Sequence, residues 1–376
     1  MAGLLAVALA LGWQGLVIRY TFAGNWTAWF CTGGNLRQPP LAVAEKIYVF
    51  PASGGYDSQF YHYVAHDPMF HRGLDRYIDA PRLRYRRILV PGLAFLLAAG
   101  QDDAIDTALI VVSLLFVFAG AYWLARYAGK FGRNPMLGAL FLLSPAMLVS
   151  LDRLTVDLAL TALCVGFALY VQEHRRRAVY LVLLLAPLAR ETGLLLTAAY
   201  CMALLLERRF KYAALFATSA IPALAWYIFV QGHTAPYGSE GWFTLIPFAG
   251  IVDRMTHPVT YPFIPIVKWL AEILDECALA GAMLAFLFSF RRTMGFPRAL
   301  IFAAMFITLS AVTLGQLFWS DVFAFGRVFS PLFVLIALQS FATRSWVTLL
   351  PVVLVDPRIG LALAYKLYQV AIAVGR

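Results

Sequence analysis

The sequence predicts an all-α fold, a polytopic transmembrane bundle of about 11 spans, and three observations predict it. Of 376 residues, 61% are hydrophobic and only 13% charged, whereas soluble domains carry about 25% charged residues. Mean hydropathy is +0.74, and long apolar runs recur along the whole chain, which points to a bilayer as solvent. The basic residues gather in short clusters beside those runs, as cytoplasmic anchors of membrane helices do.

Taken in order, residues 2–18 read as a first membrane helix. The stretch lacks the basic start of a cleaved signal, so it is expected to be retained, although Arg19 just after it argues the other way. Residues 19–103 form a long polar loop, far above ordinary connection length and therefore expected to be functional. Within it, 88–100 is apolar, but roughly 13 residues at about 1.5 Å each fall short of a hydrocarbon core of about 30 Å. It is expected to be a juxtamembrane or re-entrant helix; a strongly tilted crossing is the rival. Spans are then expected near 104–127, 134–150, 154–172, 178–190, 192–206, 212–231, 264–290, 299–318 and 328–343. A C-terminal hydrophobic pair covers 346–355 and 359–374. No soluble domain and no internal repeat emerges: 1–376 is one integral membrane domain, with its core at 104–343 and its C-terminal segments at 344–376.

The net charge of +10 is not a nucleic-acid signature, because much of it sits in the membrane-flanking clusters. Placing Lys130 and Arg133, the run Arg175, Arg176 and Arg177, the run Arg208, Arg209 and Lys211, and the pair Arg291 and Arg292 in the cytoplasm lets the spans alternate without conflict. The polar turns at 152–157, Arg190/Glu191, 232–262 and 320–327 then fall outside, together with the 54–89 loop. In 232–262, Trp242, Phe243, Pro247 and Phe248 suit a helix lying in the interface. Cys31, Cys164, Cys201 and Cys277 lack metal-type spacing. Asn25-Trp26-Thr27 matches a glycosylation sequon, a pattern that also arises by chance.

The chemistry concentrates in residues 54–89, which hold Asp57, Asp67, Asp75 and Asp79, three histidines, and Arg82, Arg84, Arg86 and Arg87. Asp57 reads either as a helix N-cap or as a functional carboxylate, and Asp67-Pro68 as a turn former. His62 and His66 share a helix face and could bind a metal with Asp57, but lacking a nearby third ligand they read more simply as surface histidines. Tyr56, Phe60, Tyr61 and Tyr63 suit an interfacial aromatic belt or a sugar-stacking wall. The arginines match phosphate oxygens through their planar forks or anchor headgroups. Arg327 either meets a phosphate or pairs with Asp321. Arg190-Glu191 interrupts what would otherwise be one helix over 178–206, putting the pair at a cavity floor, either as a functional site or as a structural ion pair.

The run GYDSQFYHYVAHDP resembles the Y-D-G-Q-F-Y-Y-x-I-A-x-D-P stretch of bacterial membrane proteins similar to the GT-C glycosyltransferase superfamily. LDRYIDAPRLRYRRILVPGLA, LTVDLAL, LARETGLLL and an arginine ahead of the penultimate helices, here Arg327, extend the likeness to about residue 335. The protein O-mannosyltransferases and the lipid A aminoarabinose transferases are of the same superfamily. Ser58 stands where the bacterial pattern has Gly, and His66 replaces an apolar residue.

The resemblance implies an inverting glycosyltransferase that moves a sugar from a polyprenyl-phosphate donor to an envelope acceptor on the outer face of a bacterial cytoplasmic membrane. Asp57 would be the carboxylate base. Arg84, Arg86, Arg87 and Arg327 would meet the lipid phosphate. Arg190 and Glu191 match a recurring pair, and Tyr56, Gln59, Asp67, Asp152 and Asp157 are secondary candidates. No metal ligand is assigned: a divalent cation is optional in the superfamily, and nothing in the sequence demands one. The expected partners are membrane lipids and the polyprenyl-phosphate sugar. The rivals are a transporter or flippase, which predicts paired broken helices in two repeats, and a non-catalytic subunit of an envelope-polymer assembly, in which Asp57 is dispensable.

Overall fold

The computed structural model describes residues 1–236, 243–291 and 295–375. The described chain is almost wholly helical; its one sheet is a two-residue parallel pairing of β1 (Thr32–Gly33) with β2 (Val49–Phe50). Helix α1 (Ala2–Thr21) leads into the long loop, which contains α2 (Pro40–Ala44), α3 (Asp57–His66), α4 (Pro81–Arg86) and α5 (Leu89–Leu97). Then follow α6 (Asp102–Lys130), a 3₁₀ segment Pro135–Leu143, α7 (Pro145–Asp152), α8 (Asp157–Gln172), α9 (Arg176–Ala189) and α10 (Leu194–Leu206). The second half holds α11 (Phe210–Ala217), α12 (Ile221–His233), α13 (Ala249–Thr256), α14 (Pro265–Ser289) and α15 (Arg298–Ala311). It closes with α16 (Gln316–Trp319), α17 (Val322–Val328), α18 (Ser330–Thr343) and α19 (Leu350–Val374).

This is a membrane-embedded helical protein. Among the described residues, four helical stretches are long and apolar enough to cross a bilayer alone: Ala2–Thr21, Asp102–Lys130, Phe210–His233 and Trp346–Val374. The number rises to six if the bent pairs Pro135–Leu143 with Pro145–Asp152 (61°) and Val322–Val328 with Ser330–Thr343 (59°) each count as one span. Both bends fall at a Ser-Pro step, Ser144-Pro145 and Ser330-Pro331. Proline suits the first turn of a helix but cannot donate to a preceding one, so each step ends one helical axis and starts another. The expected C-terminal pair is instead one continuous helix, α19, which accommodates Pro357.

Packing follows the usual membrane logic of small residues at contacts. Ala6 and Ala10 of α1 are buried, and Gly3 sits so close that an added Cβ would lie 2.7 Å from Phe118 of α6. Helix α8 is apolar on every side and buried over nearly its whole length, from Asp157 to Leu169 without interruption, the mark of a central helix. Around it the α9–α10 hairpin closes tightly because residue 193 is glycine; a Cβ there would fall 2.2 Å from the Ala186 backbone.

The contacts sort the chain into two ends. At one, Lys130 Nζ donates to the Gln172 carbonyl, Glu173 pairs with Arg126 and Arg175, and Arg176 lies over the Tyr212 ring. Arg133, Arg344 and Trp346 border one apolar cavity there, of about 240 Å³. At the other end, Arg87 meets Glu191, Arg82 donates to the Thr234 carbonyl, His66 meets Asp102, and Lys366 meets Asp152. Because His66 and Arg72 both reach Asp102, the chain returns to its starting end after α5. The nine-residue α5 therefore does not carry it across. Trp242 and Arg292 lie outside the described residues. Phe243 pairs with Leu314 through a β-bridge, and Phe248 precedes the short helix α13.

Candidate functional site: a carboxylate between guanidiniums

Helix α3 begins at Asp57 itself; Tyr56 is the N-cap and makes no side-chain cap bond. The expectation that Asp57 caps the helix is thus corrected. Its carboxylate turns instead toward two guanidiniums from distant parts of the chain. Arg84 Nη2 donates to Oδ1 at 2.9 Å and Arg84 Nη1 lies 2.8 Å from Oδ2. Arg327 Nη2 donates to Oδ2 at 2.5 Å. Burial pushes the Asp57 carboxyl up, but Arg327 and Arg84 pull harder, and the group is held well below the ordinary carboxylate range.

Each guanidinium extends the network. Arg84 also binds Asp79 through Nε (3.0 Å) and Nη2 (2.7 Å). Arg327 Nη1 reaches Asp157 Oδ2 at 3.3 Å, and Asp157 Oδ1 takes a short bond from Arg190. Arg87 donates to Tyr61 Oη (2.9 Å) and Glu191 Oε2 (3.2 Å), and Tyr61 Oη also faces Arg84 at 3.4 Å. Asp79, Arg84, Asp57, Arg327, Asp157 and Arg190 therefore form one chain of ion pairs, and the Arg87–Glu191 pair joins it through the Tyr61 hydroxyl. All four arginines are buried. Several donors and acceptors stay unpartnered: Arg190 Nε, Arg327 Nε, Glu191 Oε1 and Tyr56 Oη. Burial raises the Tyr56 phenol to about 12, so it stays protonated.

The local sequence explains why these groups meet. Helix α9 contains Pro187 and ends at Ala189, where Arg190 adopts an extended backbone, so the chain turns back and aims Arg190 and Glu191 to different partners, Asp157 and Arg87. Pro81 starts α4, and the turn spacing of about 3.6 residues puts Arg84 and Arg87 on one side of it. Near Asp57 the β1–β2 pairing brings the backbone of residue 33 against residues 53–55. Gly33 is required there, since a Cβ would fall 2.1 Å from Gly55 N and 2.2 Å from the Gly54 carbonyl carbon. Gln59 fastens this turn, accepting from Gly33 N (3.1 Å) and donating to the Gly54 carbonyl (3.0 Å).

Other expectations are redirected. Arg86 is not in the network; it lies over the Tyr227 ring. Asp67 is a backbone clamp that accepts from the N–H groups of His71, Arg72 and Leu74, which fits its reading as a turn former and removes it from the site. Asp152 pairs with Arg153 and Lys366. Asp321 caps α17 through the Phe323 N–H, so the expected Asp321–Arg327 bridge gives way to Asp57 and Asp157. Arg84 and Arg87 are too buried to anchor headgroups. Phe60, Tyr61 and Tyr63 are likewise buried rather than belted at an interface, whereas Tyr56 supports Arg153 and Arg327 on its ring, 4.5 and 4.9 Å from the centroid. Asn25 spends its side chain capping residues 26–30 and binding the Lys46 carbonyl.

His62 and His66 do not face Asp57. They converge with Glu45 and Asp106, four ligand atoms within 4.8 Å of one another. Neither carboxylate was legible from the 54–89 segment, because Glu45 and Asp106 lie outside it. Asp79 and Tyr61 were also missed as members of the Asp57 network; a tyrosine inside an aromatic run carries no signal for binding arginine.

No protein-family model, curated protein or solved structure matches this chain.

Proposed function

We propose that the protein is an inverting, GT-C-like glycosyltransferase that uses a polyprenyl-phosphate sugar, with Asp57 as its base. One observation carries the reading: a single carboxylate is held between guanidiniums drawn from the first loop and from α17, at the end of the bundle opposite the basic clusters. The acceptor hydroxyl attacks the anomeric carbon, its proton passes to Asp57, and the bond from that carbon to the phosphate oxygen breaks. The charge left on the lipid phosphate is met by Arg327 and Arg84, fixed donors at a site removed from bulk water. General base catalysis of this kind is worth about 10²–10⁴-fold.

With the basic clusters in the cytoplasm, Asp57 faces outward, which in a bacterial cytoplasmic membrane is the periplasmic side. Counting helices 157–172, 176–189, 194–206, 265–289 and 298–311 as further crossings, beside the four long spans and two bent pairs, gives the eleven-span bundle. The lipid tail would lie between helices. The 240 Å³ apolar cavity bordered by Arg133 and Arg344 lies at the other end of the bundle and has no residue of the Asp57 network in its lining.

A second reading, transport, is favoured by the two Ser-Pro bends, which touch: Ala146 N donates to Ser330 Oγ at 3.2 Å. Paired broken helices are what a transporter predicts. Purified protein in lipid, given a panel of polyprenyl-phosphate sugars, separates the readings. Sugar transfer that disappears in Asp57→Asn supports the enzyme. Transfer unchanged by that substitution rejects Asp57 as base, and lipid movement without transfer in reconstituted vesicles supports the transporter.

A further inference from the structure

Away from the Asp57 network, the opposite end of α3 carries a second constellation. His62 Nε2 and His66 Nε2 point at each other, 3.1 Å apart. Asp106 Oδ1 lies 2.6 Å from His62 Nε2 and 3.9 Å from His66 Nε2. Glu45 approaches from α2, with Oε1 3.6 Å from His66 Nε2 and Oε2 3.9 Å from His62 Nε2. Both imidazoles are completely buried, and both Glu45 oxygens are buried without a hydrogen-bond partner.

These groups satisfy one another only in part: His62 Nε2 is within hydrogen-bond distance of Asp106 Oδ1, whereas both Glu45 oxygens and His62 Nδ1 are buried without a partner. Asp102 Oδ1 sits 3.0 Å from His66 Nδ1, so that nitrogen carries the proton and the lone pair of the neutral ring lies on Nε2. That lone pair then faces a second imidazole nitrogen and the Glu45 and Asp106 carboxylates. Two carboxylates and two ring nitrogens converge on one point, and a divalent cation is the group that all four can serve. A tetrahedral zinc ion with bonds of about 2.0–2.1 Å has its ligands about 3.3 Å apart. The observed separations run from 2.6 Å up to the 4.8 Å within which all four ligand atoms lie, a spread that straddles that edge.

Around His66 the surroundings have the form of a metal-site second shell. Asp102 binds the far nitrogen of His66, as carboxylates orient zinc-bound histidines, and is itself gripped by Arg72 at 2.5 and 2.8 Å. His62 stacks on Phe30, 4.6 Å between ring centroids and 14° between planes, which fixes its ring.

We infer that Glu45, His62, His66 and Asp106 form a closed, four-ligand zinc site that staples the helix bearing Asp57 to the start of the first long span after the loop. Imidazole with carboxylate suits zinc among the common divalent metals, and four protein ligands leave no open position, the arrangement of structural rather than catalytic sites. The ion would join α2, α3 and α6, three elements separated in sequence, and so set where Asp57 stands relative to Arg84 and Arg327. The inference is independent of the glycosyltransferase reading.

The test uses the full chain in detergent or nanodiscs, purified without a polyhistidine tag and dialysed against low-micromolar zinc. One equivalent of zinc per chain by elemental analysis is expected, with an X-ray absorption shell of nitrogen and oxygen at about 2.0 Å that shows imidazole scattering. Chelation should lower the melting temperature and added zinc should restore it. Glu45→Gln and His66→Gln should each lose the bound ion, and Asp102→Asn should weaken zinc affinity about 10–100-fold. Wild-type protein that stays monodisperse with far less than one equivalent overturns the inference and leaves a protonated His66 between the carboxylates. A full equivalent retained by a folded His62→Gln/His66→Gln double variant, or wild-type absorption without imidazole scattering, overturns it as well.

Discussion

Replacing Asp57 by asparagine tests the proposed chemistry most directly, because it keeps the side-chain shape and removes only the charge and the basicity. Removing one partner of a fully buried ion pair costs about 3–5 kcal/mol. Here the loss should be smaller, about 1–3 kcal/mol by the same argument, since neither guanidinium is stranded. Arg84 keeps two bonds to Asp79 at 2.7 and 3.0 Å, and Arg327 keeps Asp157 at 3.3 Å. Loss of a general base, by contrast, should slow the chemical step about 10²–10⁴-fold, roughly 2.7–5.5 kcal/mol of barrier at 1.36 kcal/mol per decade. Sugar transfer under single-turnover conditions in proteoliposomes, beside a thermal melt of the same preparation, separates the two effects. The expectation is a folded variant that still takes up donor lipid but turns over at least a hundredfold slower. Folded Asp57→Asn with transfer within about tenfold of wild type would refute the assignment, leaving the network a structural one.

Three further outcomes follow from the packing. Gly33→Ala forces a Cβ to within 2.1–2.6 Å of backbone at residues 53–55; it should displace the turn before Asp57 and abolish transfer, whereas Gly34→Ala, whose nearest contact would be 3.1 Å, should keep most of it. Asp157→Asn leaves Arg190 and part of Arg327 without their buried carboxylate and should destabilise by about 3–5 kcal/mol in a detergent melt, with Arg190→Met/Asp157→Leu recovering most of that loss. Arg86→Ala removes only a ring contact with Tyr227 and should change transfer less than about threefold, against at least a hundredfold for Arg327→Ala, where a fixed donor to the leaving phosphate is lost.

What the sequence could disclose was decided by range. Composition alone indicates a helical membrane protein, because a bilayer leaves its mark on every span. The short length of 88–100 and the break at Arg190-Glu191 were visible because both concern local reach, and α5 and the α9–α10 turn stand where those arguments put them. The site was half legible. A carboxylate beside clustered arginines in a long polar loop draws attention to Asp57, Arg84 and Arg87 without any structure. Pairing is a different matter: Asp321 is six residues from Arg327, yet the partner that Arg327 takes lies 270 residues away. Nearness in sequence misled again at His62 and His66, which read as surface histidines for want of a nearby third ligand; both are buried, and they meet Glu45 and Asp106 from outside the 54–89 segment rather than Asp57. Residues five apart on a helix point to different sides, so Asp57 and His62 serve different clusters. The bends at Ser144-Pro145 and Ser330-Pro331 also escaped notice, since a serine and a proline inside an apolar run look like an ordinary span until the axis direction is known.

The ion pairs also bear on when Asp57 can act. Between Arg84 and Arg327 the carboxylate is a poor base, because two guanidiniums favour its ionised form. A lipid phosphate brings at least one negative charge to a network in which four arginines already balance four carboxylates. Its oxygens suit the same guanidinium forks, so they compete with Asp57 for Arg327 and Arg84. On the proposed reading, each bond transferred to phosphate would strip a charge partner from a carboxyl that remains buried and raise its proton affinity, so that donor binding and activation of the base would be one event. The two pH profiles should differ accordingly. For free enzyme, kcat/KM should show no acid limb from Asp57 above about pH 4, the ordinary carboxylate value being about 3.9. The stabilisation from this depressed group is likewise complete above that value and is lost only as pH falls below it. With donor bound, kcat should fall on the acid side at a distinctly higher pH, and Asp57→Asn should erase that limb. Coincident limbs in the two profiles would mean that the guanidiniums never leave Asp57, which would remove the basis for calling it a base at all.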